Sequence, residues 1–270
     1  MQVVSESRAG ESGRANEDWL SVGQDLIVVL DGATARTDTG CTHGVSWYAA
    51  HLGSAIREFS AIRDLSLETV LRQSIQRVAG LHAECDLAHP GSPSAAVGIV
   101  RLGENLEYLV LGDISLAIAT GEGISVVTDP RVSATARAAR EEADQYLIGT
   151  PEKQEALLRM KAGELAAKNR EGGYWIATSE PSGVEHALTG TVPLGDVSDL
   201  VVLTDGSARI VDLFAVTGWA GVFEVLRSGR GPAALIEWAR ELEDSDPIGE
   251  RWPRNKKSDD ASVVYAILST

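Results

Sequence analysis

The order of the short apolar segments constrains this chain more than any other feature. Segments rich in Val, Ile and Leu come in runs, and pairs of helical patterns separate the runs. Residues 19–22 and 26–30 flank Gly23-Gln24-Asp25, a turn composition, and predict a hairpin. Val45, Tyr48, Ala49, Leu52, Ala55, Ile56 and Phe59 then recur every three or four residues, which predicts a helix over 43–59. Leu67, Val70, Leu71, Ile75, Val78 and Leu81 repeat that period in a second helix. Strands resume at 95–101, 107–111, 115–120 and 124–127, divided by Gly103-Glu104-Asn105, Gly112-Asp113 and Gly121-Glu122-Gly123. The Gly-x-Gly at 121 reads as a turn, because no helix follows it as a phosphate-binding loop requires. Two helices are expected at 133–147 and 151–169, the second opened by Thr150 as N-cap and Pro151 at its first position. Further strands are expected at 174–177, 185–188 and 200–204, and helices at 210–216, 221–226 and 232–242. A loop at 244–257 leads to a last strand at 261–268. Strands that arrive in runs predict an α+β fold of antiparallel sheets with helices outside, not a doubly wound parallel sheet. Neither an internal repeat nor a low-complexity linker interrupts the sequence, so 1–270 is expected to be a single domain.

Composition narrows the function. With 44% hydrophobic and 23% charged residues the chain is neither disordered nor fibrous. A net charge of −15 argues against nucleic-acid binding and against docking on anionic lipid. The longest apolar runs fall far short of the roughly 20 residues of a membrane span. Residues 1–13 are polar and lack the apolar core of a leader peptide, so a cytoplasmic location is expected. Cys41 and Cys85 form no CxxC pair and no zinc spacing, and read as free thiols of a reducing compartment.

The placement of the aspartates carries the chemistry. Asp31 closes the run 26–30 and precedes Gly32, and Asp205 closes 200–204 and precedes Gly206. Asp113 lies between two strands after Gly112, and Asp259 and Asp260 stand before the last strand. Any one of these could be an ordinary turn residue. If the strand ends converge, the carboxylates share one cleft, and their repulsion calls for a cation. Mg²⁺ and Mn²⁺ take such oxygen ligands, and a pair of them suits phosphoryl transfer.

These pieces resemble the metal-dependent protein phosphatases of type 2C, in a divergent bacterial form. Gly13-Arg14-Ala15-Asn16-Glu17-Asp18 is similar to the N-terminal Arg…Glu-Asp motif, and Val29-Leu30-Asp31-Gly32 to the Asp-Gly metal motif. Leu111-Gly112-Asp113-Ile114-Ser115, Leu203-Thr204-Asp205-Gly206 and Ser258-Asp259-Asp260-Ala261-Ser262 are similar to the next three motifs, in the family's order. The resemblance implies a four-layer αββα sandwich, two antiparallel β-sheets flanked by helix pairs, with a helical flap about 133–170. It implies two Mg²⁺ or Mn²⁺ ions, with Asp113 a candidate for a third, weaker site. Asp31 would bridge both ions and the Gly32 carbonyl would bind one. Asp205 and Asp259 would hold the other, and Glu17 would act through metal-bound water. The implied reaction is hydrolysis of phosphoserine or phosphothreonine in a phosphoprotein, by direct attack of a metal-bridging hydroxide.

The pattern also departs from the family. Members usually carry one more residue between the arginine and the Glu-Asp pair. Arg14 is therefore the first candidate for the phosphate, with Arg8 and Arg36 as rivals. Ala33-Thr34-Ala35 stands where many members have His or Met and a glycine pair, which removes a general acid there. His43 is open as an acid, a substrate contact or a helix-start residue. Asp18 and Asp260 read as supports for the ligands. Two alternatives stay open: the same chemistry on a small-molecule phosphate, and a pseudo-phosphatase that serves as a binding module.

Overall fold

The computed structural model describes residues 1–268. Ten strands form two five-stranded antiparallel sheets. β1 (Gln2–Arg8), β10 (Ala261–Ile267), β9 (Val197–Leu203), β6 (Ser115–Thr120) and β7 (Gly123–Val127) lie in that spatial order in one. β2 (Trp19–Val22), β3 (Leu26–Gly32), β4 (Ala95–Leu102), β5 (Asn105–Leu111) and β8 (Leu188–Pro193) make the other. α1 (Val45–Ser60) and α2 (Leu67–Ala79) cover the outer face of the β3 sheet. α6 (Asp205–Asp212), α7 (Trp219–Val225) and α8 (Gly231–Ser245) cover the outer face of the β9 sheet. The expected four-layer sandwich is the observed fold.

The uninterrupted apolar character of the central strands follows from this layering, because both faces of each strand are buried. In β3, Val28 and Leu30 pack under α1 and α2, while Ile27 and Val29 point into the space between the sheets. In β9, Val201 and Leu203 meet the α6–α8 layer, and Leu200 and Val202 meet the other sheet. Leu30 is fully buried, and Leu30→Ala would cost about 2–5 kcal/mol.

Several boundaries differ from the sequence reading. β1 was not expected. It is a half-exposed edge strand whose polar QVVSESR sequence carries no apolar run, and it is held by pairing with β10. The helix expected at 133–147 is broken into α3 (Arg131–Ala134) and α4 (Arg137–Ala143), because Ala136 adopts a left-handed φ of 53°. α5 (Pro151–Ala167) starts as expected, with Thr150 Oγ1 accepting from the Lys153 amide at 3.2 Å. Residues 174–177 form only isolated bridges, to Lys168 and Ala95. The strand expected at 185–188 begins later, at Leu188, after a short 3-10 turn over Pro181–His186.

Candidate metal centre

Four carboxylates reach one cleft from four different chain segments. Asp31 sits at the end of β3, and Asp205 opens α6 directly after β9. Asp113 lies in the turn from β5 to β6, where the chain passes from one sheet to the other. Asp259 precedes β10. All four line a cleft of 730 Å³, walled on its far side by residues of α4 and α5 such as Arg140, Lys161 and Glu164. Gly32 lines it too, and the backbone there leaves no room for a side chain. A Cβ at Gly32 would stand 2.5 Å from Val45 Cγ1 and 2.6 Å from the Glu17 carbonyl oxygen.

The carboxylates are short of donors. That of Asp31 accepts one long hydrogen bond, from the Asp205 amide at 3.4 Å. Those of Asp113 and Asp205 accept none from another side chain among the described residues. Behind them Asp18 Oδ2 accepts from Thr204 Oγ1 at 2.8 Å, while its Oδ1 is buried with no partner. The protonation equilibria register the crowding. Burial, then the charges of Asp205, Asp18 and Asp113, hold the Asp31 carboxyl well above the usual carboxylate range. Burial and the charges of Asp259 and Asp113 push Asp205 up to about 7, although its side chain still meets solvent in the cleft. Burial raises Asp113 to about 6 and Asp18 to about 8. Such groups must either keep a proton or share a cation. Acceptor-only oxygens without protein donors fit a hard divalent ion.

Asp259 is different. Its Oδ2 accepts from Arg209 at 3.0 Å and its Oδ1 pairs with Lys256. Arg209 is itself buried and anchored on Glu243 at 2.6 Å. Lys256 also donates to Thr34 Oγ1 at 3.1 Å, and that hydroxyl donates to Glu17 Oε2 at 2.7 Å. Glu17 is thereby linked to the cleft through Thr34, not by lining it. Asp260 holds the N-terminal loop, accepting from the Gly10 amide at 2.8 Å and the Glu17 amide at 2.7 Å. It supports the site and does not face it.

The three arginine candidates separate clearly. Arg14 lies outside the cleft, largely exposed and paired with Glu11 at 3.4 Å. Arg8 is held by Glu6 and Glu237. Arg36 lines the cleft, forms no ion pair among the described residues, and has its pKa drawn down by burial. Sequence reasoning did not single out Lys256 or Arg209. Both belong to loop or helix stretches whose charges look like ordinary surface. Among the described residues no histidine lines the cleft, and His43 lies elsewhere, beside Cys41 and Cys85.

A sandwich of two antiparallel sheets with carboxylates gathered at the strand ends suits metal-dependent hydrolysis of phosphate esters. The family model described as Protein phosphatase 2C matches residues 9–239, and the chain belongs to that family of Mn²⁺- or Mg²⁺-dependent enzymes. The fold is similar to that of the Mycobacterium tuberculosis serine/threonine phosphatase PstP/Ppp, at 14% identity and a TM-score of 0.58 over 100% of this chain and 99% of that one. The catalytic domain of PstP in complex with two manganese ions is similar over 100% and 98%, at 13% identity and a TM-score of 0.57. The PPM Ser-Thr phosphatase MsPP from Mycobacterium smegmatis, in complex with cacodylate, is similar over 100% and 99%, at 18% identity and a TM-score of 0.56. No curated protein matches by sequence. Among the described residues no helix is long and apolar enough to cross a membrane.

Proposed function

We propose that this protein removes phosphate from phosphoserine and phosphothreonine in proteins, acting as a single domain with α3–α5 as a flap over its cleft. The observation that carries the reading is the convergence of Asp31, Asp113, Asp205 and Asp259 in one cleft, where among the described residues cationic side chains pair with Asp259 alone. Asp31 would be a ligand of two divalent cations, with the Gly32 carbonyl on one and Asp205 and Asp259 on the other. Asp113 would serve a third, and Glu17 would orient water through its hydrogen bond with Thr34. When bound, Mn²⁺ or Mg²⁺ supplies an acidified water and neutralises phosphate oxygens.

The chain's own residues then account for binding and orientation. Arg36 replaces Arg14 as the residue that receives the phosphate, because its guanidinium lines the cleft unpaired and offers forked donors to phosphate oxygens. Asp18 fixes Thr204 and so sets the start of α6 and the direction of Asp205. With no histidine in the cleft among the described residues, the leaving alkoxide takes its proton from water or from another cleft residue. The retention of Asp31, Asp205 and Asp259 counts against a pseudo-phosphatase. Cytoplasmic phosphoproteins are the proposed partners.

The deciding experiment is release of phosphate from phosphothreonine peptides and from p-nitrophenyl phosphate, with Mn²⁺ and with EDTA, in wild type, Asp31→Asn and Asp205→Asn. Metal-dependent activity on the peptides, absent in both variants, is the expected result. Activity on neither substrate, or activity that survives EDTA, would overturn the reading. Activity on small phosphate esters alone would move it to a small-molecule substrate.

A further inference from the structure

A second cluster lies away from the cleft, at the open end of the α1–α2 hairpin. The segment before α1 carries Cys41-Thr42-His43, and the segment after α2 carries His82-Ala83-Glu84-Cys85. Because the two helices pack antiparallel, the start of α1 and the end of α2 meet, and four soft donors meet with them. Cys85 Sγ lies 3.5 Å from Cys41 Sγ and 3.4 Å from His43 Nδ1. Cys41 Sγ lies 3.7 Å from His43 Nδ1. Cys41, His43 and His82 present ligand atoms all within 4.8 Å of one another.

We infer that Cys41, His43, His82 and Cys85 form a closed, four-coordinate zinc site that is separate from the carboxylate centre. The spacings among Cys41, His43 and Cys85 suit the metal, and His82 reaches Cys41 and His43 within 4.8 Å, so binding would draw His82 and Cys85 together. Zn–S bonds of about 2.3 Å and Zn–N bonds of about 2.0–2.1 Å at tetrahedral angles set S···S near 3.8 Å and S···N near 3.5 Å. A disulfide would bring the sulfurs to about 2.0 Å, so the two thiols are unbonded neighbours.

His82 gives the independent sign. Its ring is 4% exposed, and Nδ1 donates to the Val78 carbonyl at 2.9 Å, which leaves Nε2 as a lone-pair nitrogen. That Nε2 is buried with no hydrogen-bond partner. An imidazole held by one nitrogen on a backbone carbonyl, with the other bare and the Cys41 thiol within 4.8 Å of the ring's ligand atom, is the arrangement of a zinc-ligating histidine. The indole of Trp47 packs on both imidazoles, stacked on His43 at 4.2 Å and edge-on to His82 at 4.7 Å. Two thiolates and two imidazoles around a tetrahedral ion suit Zn²⁺ better than Mn²⁺ or Mg²⁺, which prefer oxygen. With all four positions filled by protein, the ion is structural. It would fasten the loop 33–44 to the segment 80–94. That loop begins at the cleft with Thr34 and Arg36, so the clamp would hold the rim of the phosphate site.

The test uses the full chain, purified from zinc-supplemented cells and passed through EDTA to clear weakly held ions. Metal analysis is expected to show one zinc per chain in wild type and in Asp31→Asn, and none in Cys85→Ser or His82→Gln. Cobalt exchanged into wild type is expected to give a thiolate charge-transfer band and the intense visible spectrum of a tetrahedral ion, a readout that stands even if the variants fail to fold. Zinc lost from Asp31→Asn but kept by Cys85→Ser would overturn the inference. So would two freely reactive thiols in zinc-free wild type, a mass lower by two hydrogens from a disulfide, or a cobalt spectrum without the thiolate band.

Discussion

The loop 33–44 joins two clusters of potential ligands with opposite chemistry. At its start, Asp31, Asp113, Asp205 and Asp259 offer only hard oxygens, crowded in an open cleft where cationic side chains meet just one of them. At its end, two thiols and two imidazoles gather beside Trp47. On the two proposed assignments, one chain would sort metals by donor type and coordination number instead of by raw affinity. The open oxygen site leaves room for substrate and water, and the closed sulfur–nitrogen site leaves none.

The sharpest break of this contrast is Asp31→Asn. Losing a ligand between two cations removes several kcal/mol of transition-state stabilisation, so phosphatase activity should fall about 10³-fold while the zinc content is unchanged. Stability should follow the same division. Mn²⁺ at about 100 times its dissociation constant should add about 2.7 kcal/mol to wild type, seen as a higher melting temperature, and nothing to Asp31→Asn.

A comparison of arginines comes next. Arg36→Ala should lower kcat/KM roughly 10- to 100-fold, the loss of a charge-assisted hydrogen bond of about 1.5–3 kcal/mol. Arg14→Ala, in an exposed pair with Glu11, should stay within about twofold of wild type. Equal losses in the two variants would return the phosphate to Arg14.

The metal-free cleft should also carry a pH signature. Asp113, Asp205 and Asp18 titrate at about 6, 7 and 8 in the folded chain against 3.8 for an unperturbed carboxyl. The folded state therefore holds more protons than the unfolded state between these values. In EDTA, the melting temperature should fall as pH rises from about 4 through about 8, and Mn²⁺ should flatten that fall. A metal-free protein that gains stability over this range would contradict the crowding. The smallest effect concerns Lys256, which pairs with Asp259 where a cation would bind. Lys256→Met should tighten Mn²⁺ binding by up to about fivefold, the scale of a partly exposed ion pair.

The carboxylate centre was legible because a strand that ends in Asp-Gly is a local pattern, and Asp31 and Asp205 each carry it. The layers were legible because β3 and β9 are buried on both faces and read as unbroken apolar runs. β1 was not, since an edge strand gains its order from β10 and needs no apolar run of its own. The break at Ala136 was hidden too, because alanine is an ordinary helix former and only the packed flap selects a left-handed φ there. The Cys/His cluster escaped a search for paired cysteines. Its signal is two mixed pairs, Cys41 with His43 and His82 with Cys85, which come together only once α1 and α2 have formed a hairpin. Arg36 was visible only as a rival to Arg14, since sequence spacing does not show which guanidinium faces the cleft.

The crossing of the chain at Gly112-Asp113 has a mechanical consequence. Asp31 is mounted on one sheet, Asp205 and Asp259 on the other, and Asp113 on the hinge between them. Between the sheets, apolar side chains such as Val29 and Val202, with Ile114 of the turn, are close-packed in the shared interior. Because such an interior transmits strain, a slip of one sheet across the other would change the spacing of the carboxylates directly. The cleft therefore works as a gauge of sheet alignment, and enlarging or trimming a side chain in that layer should detune the enzyme before it unfolds it.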